Sequence, residues 1–410
     1  MRSKWFYVFA GLVANIILGT IYSWSVFRKP LELKLSWTSL ESGVPFSMFL
    51  LFFAICMPLS GKLLKMYGSR RVALLGGLLV GVGWVLAGLS LGLQGSLLFV
   101  ALFYGVIAGS GVAMVYNTAI TVSSNWVPER RGLAVGLTVL GFGISPIVTA
   151  PAAHLLITSY GVQSSFLILG AGYGLALTAL SLFMILPRAE IVKSQEASGQ
   201  RGLSLSKEYS PREMVRSRQF AGLWLAYALG TLGGFIAISQ AAKFGQEVVR
   251  LSPELAAAAT SVFSIFNGSG RPIFGYLADR LRISVVSSLS FVLAICGSLL
   301  AIQASEFIIY MASYSILWLV FGGWLALAPR ATSVFFGVRN LSVNYGIVFT
   351  AYGASALIGP TLASILWESL GQYIPVFLTT ATLYGVGLII SNTLLRQPTL
   401  PERMLQVKAQ

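Results

Sequence analysis

Arg271 is the one basic residue inside a long apolar stretch of this 410-residue chain; it lies in the eighth of twelve such stretches, near residues 255 to 277. A guanidinium without a partner in hydrocarbon is costly, so the expected place for Arg271 is a protein interior or a wet cavity on a solute path. Its planar fork donates two parallel charge-assisted hydrogen bonds to a carboxylate, which a lysine ammonium does not. Gly268 and Gly270 before it and Pro272 after it loosen the helix at that point. The competing reading is snorkelling toward Asp279, eight residues on, about 12 Å along a helix. A small anion held by Arg271 is the chemistry expected.

The remaining candidates for that site are mostly aromatic. Tyr22, Tyr116, Phe142, Phe321, Trp324, Phe349 and Tyr352 come from stretches 1, 4, 5, 10 and 11, and Phe349 and Tyr352 share one helical face. In a chain with 12% aromatic residues, simple packing is the competing role for each ring. Asn117 follows Tyr116 and points about 100° away, so one of the two faces the centre more squarely. Asn267 stands one turn before Arg271. Cys56 and Cys296 lie in different halves and read as reduced packing residues, and His154 is the single histidine. No metal cluster and no Ser/His/Asp set can be assembled, so neither an enzyme nor a cofactor is expected.

The elements that position these residues follow from composition. With 56% hydrophobic residues, 10% charged and mean hydropathy +0.80, the chain reads as an all-α membrane protein, since stretches of about 20 uncharged residues match the hydrocarbon thickness. Trp5, Phe6 and Tyr7 open the first stretch, which is expected to stay as a span rather than be removed. Of the 28 Lys and Arg residues, 22 fall on one face of the alternating topology, five on the other, and the last is Arg271. This bias predicts a multi-pass protein of the cytoplasmic (inner) membrane with both termini cytoplasmic. The +15 net charge is then a topology signal facing membrane lipids, and nucleic acid is not an expected partner.

Hydrophilic residues 188 to 218 separate six stretches from six. The expected organisation is a six-helix bundle at 1–187, a cytoplasmic linker at 188–218, a second bundle at 219–394 and a cytoplasmic tail at 395–410. Within the linker, Ser210, Pro211, Arg212 and Glu213 can open a short helix. The halves echo each other. Gly61 to Arg71 and Gly275 to Arg282 occupy equivalent places, as do Gly141-Phe142-Gly143 and Ala351-Tyr352-Gly353. Gly105 and Gly109, and Gly132 and Gly136, are spaced for close helix approach.

With these two loops the chain resembles the major facilitator superfamily, which implies twelve transmembrane helices in two pseudo-symmetric bundles. The first loop carries Lys65 where the family usually carries Asp. The second keeps Asp279, so the resemblance makes Asp279 with Arg280 the gate candidate. Finer pieces resemble the oxalate/formate antiporters and monocarboxylate porters: Tyr22-Ser23-Trp24, Val115-Tyr116, Asn125 to Gly132, Asn267 to Pro272, and Asn344-Tyr345-Gly346. In such proteins the arginine matching Arg271 binds the carboxylate. Tyr352 stands where the oxalate antiporters carry a second cation, which favours lactate- or pyruvate-like monoanions over oxalate. Asn267 stands where proton-linked porters carry an aspartate, so proton symport, exchange and uniport all stay open.

The function expected is thus secondary transport of small monocarboxylates by alternating access, by a functional monomer. An oxalate/formate-type exchanger is the alternative, and an exporter of another small organic solute a third.

Overall fold

A chain this apolar can satisfy its backbone N–H and C=O groups in lipid only within helices. The computed structural model describes residues 3–93, 96–187 and 208–395, and these are helical without a strand. The expected residues 188 to 207 of the linker and 396 to 410 of the tail lie outside the described residues.

Helix α1 runs Lys4–Leu35 and α2 Ser39–Tyr67, followed by α3 Ser69–Ser90 and α4 Ser96–Trp126. One helical run, Arg131–Ser181, is broken at Gly161, whose φ of 79° and ψ of 163° only glycine adopts easily; its arms are α5 (131–160) and α6 (162–181). The second half holds α7 Arg218–Glu247, α8 Pro253–Arg280, α9 Ile283–Ile302, α10 Phe307–Phe336, α11 Leu341–Leu370 and α12 Ile374–Thr393. Among the described residues ten helical stretches are long and apolar enough to cross a membrane; the 54-residue stretch from Pro128 to Ser181 counts once although it folds into two arms. Helix α8 falls outside the ten because Asn267, Arg271 and several Ser and Gly residues dilute its apolar content. With that helix and the extra arm, twelve helices cross the bundle. Between the halves, Pro211–Val215 forms the expected short helix, with Ser210 and Glu213 making a reciprocal cap.

The helix ends differ from expectation in one place that matters. The tenth apolar stretch, expected at residues 307 to 329, continues as helix α10 to Phe336, so Arg330 belongs to a helix and not to a loop.

Helices α1 to α6 pack among themselves, as do α7 to α12, and the two groups meet along α2 with α11 and α5 with α8, with α10 leaning on the Arg131–Ser181 run. Both seams are backbone to backbone. A Cβ placed on Gly132 would meet the Gly275 carbonyl, one on Gly136 would come within 2.5 Å of the Arg271 carbonyl, and one on Gly143 within 2.8 Å of the Gly268 Cα. In the other seam Gly61 lies on the Ser342 carbonyl and Gly346 on that of Met57. These contacts use the second half of α2 and α8 and the first half of α5 and α11. Lys4 of α1 is bonded to Glu129 just before α5, at 3.0 Å. The halves are therefore closed together at the end of the bundle that carries the start of α1. Gly105 and Gly109 of α4 make a different close approach, onto Met48 and Phe49 of α2.

Candidate solute-binding site

Arg271 sits at the α5–α8 seam, fully buried. Helix α8 presents it, and Gly143 of α5 lets it in: a Cβ there would come 3.0 Å from Nε. Nη1 donates to the Val139 carbonyl of α5 at 2.5 Å, and Nη2 to Oδ1 of Asn267, one turn earlier on α8, at 3.2 Å. Nε has no hydrogen-bond partner. Among the described residues no carboxylate pairs with the guanidinium, and both of its hydrogen-bond acceptors are neutral oxygens. The snorkelling alternative fails, because the side chain ends at α5 while Asp279 is engaged elsewhere.

Aromatic rings close around this group. The guanidinium carbon lies 5.7 Å from the centre of the Phe142 ring, which packs edge-on to Tyr22 at 5.2 Å and to Tyr116 at 5.6 Å. Tyr22 from α1 and Tyr352 from α11 join their hydroxyls at 2.9 Å, a bond between the two halves. Phe349 stacks on Tyr352 at 4.7 Å, as their shared helical face implied, and lies 5.7 Å from Tyr116. Phe321 reaches Tyr352 from α10 at 6.2 Å. Tyr22, Tyr116, Phe142, Phe349 and Tyr352 thus form one cluster with Arg271, and Phe321 borders it.

Two expected members lie apart. Asn117 spends its amide N–H groups on the carbonyls of Met57 at 3.2 Å and Ser342 at 3.0 Å, so it ties α4 to the α2–α11 seam, while its neighbour Tyr116 faces the cluster. Trp324 packs inside the second half, 5.4 Å from Phe291 and 6.0 Å from Tyr227, in the gap left by Gly230. Further aromatic neighbours went unrecognised in the sequence: Phe235 packs on Tyr352 at 5.0 Å, and Phe53, Tyr227 and Tyr345 pack on Phe349 at 4.9, 6.3 and 5.8 Å. Tyr345 stood within a recognised motif; nothing marked the other three among so many rings.

At the closed end, Asp279 holds both N–H groups that open α5. Its Oδ1 accepts from Gly132 N and its Oδ2 from Leu133 N, each at 2.9 Å. Its cationic partner is Arg330 of α10, at 2.9 Å, and not Arg280. Arg280 is exposed and lies over the Tyr276 ring at 4.5 Å, because the last turn of α8 points it outward. Arg330 escaped notice because its helix was expected to stop before it. Lys65, in the last turn of α2, bonds Asn340 at the start of α11, where the family pattern would place an acid.

The profile of the Major Facilitator Superfamily matches residues 5–334 of this chain. Among similar proteins, the oxalate:formate antiporter of Oxalobacter formigenes is 26% identical over 388 residues, covering 93% of this chain and 89% of that protein. An uncharacterized MFS-type transporter of Escherichia coli strain K12, YhjX, is 27% identical, covering 87% and 86%. Monocarboxylate transporter 12 of Mus musculus is 25% identical, covering 85% and 76%. The crystal structure of the fucose:proton symporter of E. coli shares the fold with a TM-score of 0.73 at 14% identity, over 97% of this chain and all of that one. The buried cation Arg271, at the glycine-lined seam of two six-helix groups, is thus found in a multi-pass membrane transporter: the chain belongs to the Major Facilitator Superfamily.

Proposed function

We propose that this transporter carries small monocarboxylates, lactate- or pyruvate-like, across the cytoplasmic membrane by alternating access, with the anion held by Arg271. The observation that carries the reading is the guanidinium itself: fully buried, with an unpartnered Nε and only neutral acceptors at Nη1 and Nη2. A buried cation without a counter-charge is unfavourable, and a carboxylate supplies that charge with matching geometry. Trading the Asn267 amide oxygen for a carboxylate oxygen would roughly double the strength of that hydrogen bond. Two of the relatives are named for carboxylate transport, which agrees.

Tyr352 supports a monoanion. Its hydroxyl, bonded to Tyr22, offers a neutral hydrogen bond and no second positive charge, so a dianion would keep one charge uncompensated in a desolvated site. Movement would be a rocking of residues 1–187 against 219–394, opening the seams that the glycines now close. The distribution of 22 basic residues to five supports cytoplasmic termini, and hence a structure closed on the cytoplasmic side. Since both seams are built from one chain, the unit of transport is taken to be a monomer.

A second reading, exchange of one anion for another, draws on Asn267. Among the described residues no carboxylate stands beside Arg271 to relay a proton, and an empty carrier would have to reorient with its arginine uncompensated. The test is purified protein in liposomes: uptake and counterflow of labelled lactate, challenged with pyruvate, formate and oxalate. Saturable lactate flux inhibited by pyruvate is expected; flux with oxalate alone would replace this reading with the oxalate/formate one.

A further inference from the structure

The two seams are related by the internal repeat, yet their latches are built differently. Gly275 and Asp279 are four residues apart at the end of α8, and Gly61 and Lys65 are four apart at the end of α2. Gly275 packs on the start of α5 and Gly61 on the start of α11. At the first seam an acid from one half accepts the N–H groups of the other, through Asp279. By symmetry an acid at position 65 would meet the chain entering α11. Lysine stands there.

The free N–H groups before α11 are nevertheless taken. Glu208, at the end of the segment joining the halves, accepts from Val338 N through Oε1 at 3.1 Å and from Arg339 N through Oε2 at 2.9 Å. Gly337, with φ at 79°, turns the chain so that both amides face that carboxylate, and any side chain there would strike it. Tyr209 continues the strap. Its N–H donates to the Phe336 carbonyl at 3.0 Å, and its own carbonyl accepts from the amides of Asn340 at 2.7 Å and Asn344 at 3.2 Å. With its Nδ2 so held, Asn340 turns Oδ1 toward Lys65 across the seam, and Lys65 donates to it.

We propose that Glu208 is the positioning residue of the second latch: the joining segment supplies the acid that the first loop lacks, and sets the α10–α11 turn to receive Lys65. The polarity of this latch is inverted relative to the first, with a cation donating to a neutral amide where the other seam has an acid accepting from amides. It follows that this latch is the weaker of the two, since an exposed lysine–amide bond is worth less than a shielded carboxylate on a helix N-terminus. It follows also that a pull on the joining segment is felt at the gate. The inference concerns the closed end alone and holds whichever solute is carried.

The test uses the full chain with Cys56→Ser, Cys296→Ser and Ser342→Cys, and follows maleimide labelling of the seam from its closed end. Glu208→Ala is expected to speed labelling about tenfold, the weight of the one Lys65–Asn340 hydrogen bond at the low end of the range for a charged group. Lys65→Ala alone should do nearly as much, and the two together no more than either. Adding Lys65→Asp to Glu208→Ala should slow labelling again, because the acid is then supplied across the seam as Asp279 supplies it on the other. Unchanged labelling in Glu208→Ala would overturn the proposal. Additive effects of Glu208→Ala and Lys65→Ala, or no recovery with Lys65→Asp, would overturn it too. Should Glu208→Ala misfold, the surface variant Lys65→Ala decides alone: wild-type labelling there refutes the latch.

Discussion

Replacing Asp279 by asparagine should open the closed end of the transporter. Three contacts converge on this carboxylate, but only the two from Gly132 N and Leu133 N cross between the halves. The pair with Arg330 joins α8 to α10 within one half, so it persists in both states and cancels from the gating equilibrium. Asparagine has a single acceptor oxygen, so one of the two bonds weakens from about 1.5–3 kcal/mol at a charged acceptor to about 0.5–1.5 at a neutral one, and the other, worth about 1.5–3 kcal/mol, is lost. The helix-dipole contribution at the α5 N-terminus is lost as well, roughly 0.3–1 kcal/mol. Together about 3 to 5 kcal/mol shifts the closed-to-open ratio by a factor of about 150 to 4,000. Maleimide labelling of Ser342→Cys, in protein whose Cys56 and Cys296 are serine, reads this shift at the other seam, where Ser342 is only 7% exposed. Because the reporter is remote from the substitution, faster labelling means rigid-body opening. Unchanged labelling in a folded Asp279→Asn protein would show that this carboxylate does not hold the halves together.

Gly136→Ala should have a similar outcome by a steric route, since its Cβ would sit 2.5 Å from the Arg271 carbonyl and 2.7 Å from the Pro272 Cα, both backbone; transport is expected to fall at least about tenfold, while Gly172→Ala, which meets nothing within 4 Å, leaves it unchanged. Tyr352→Lys should shift counterflow preference from monoanions toward oxalate, and an unaltered preference would remove the single-cation argument. Asn267→Asp places a carboxylate where an amide now bonds Arg271 at 3.2 Å. Its ionised form would compete with the solute for the guanidinium and its protonated form would not, so uptake by this variant should rise as pH falls more steeply than in the unmodified protein. Identical pH profiles would place position 267 outside the coupling path.

Arg271 was legible in the sequence because a charge in hydrocarbon is a rule broken, and such breaks occur where function needs them. The same logic found the glycines of α5, whose spacing became the backbone contact with α8. Asp279 was found through a loop pattern, but its partner was not: ion pairs across the seam depend on how far α10 runs, and nothing between residues 329 and 337 stops a helix before Gly337. Asn117 and Tyr116 were indistinguishable by type. Only the fold shows that one faces the rings and the other spans two carbonyls in the seam. Among 25 Phe, 16 Tyr and 9 Trp residues, choosing which rings meet Arg271 requires the rotation of each helix, which an all-round apolar sequence does not encode. Glu208 was invisible for another reason, since its role arises from the lysine that stands where symmetry asks for an acid.

The central claim is that Arg271 binds a carboxylate through its guanidinium fork. Lactate counterflow by Arg271→Lys protein in liposomes tests it most directly, with intact folding verified by a monodisperse elution profile. The account predicts a loss of about tenfold to a hundredfold, the weight of one hydrogen bond between charged groups. Counterflow at the unmodified rate, with a point charge in place of the planar fork, would contradict it.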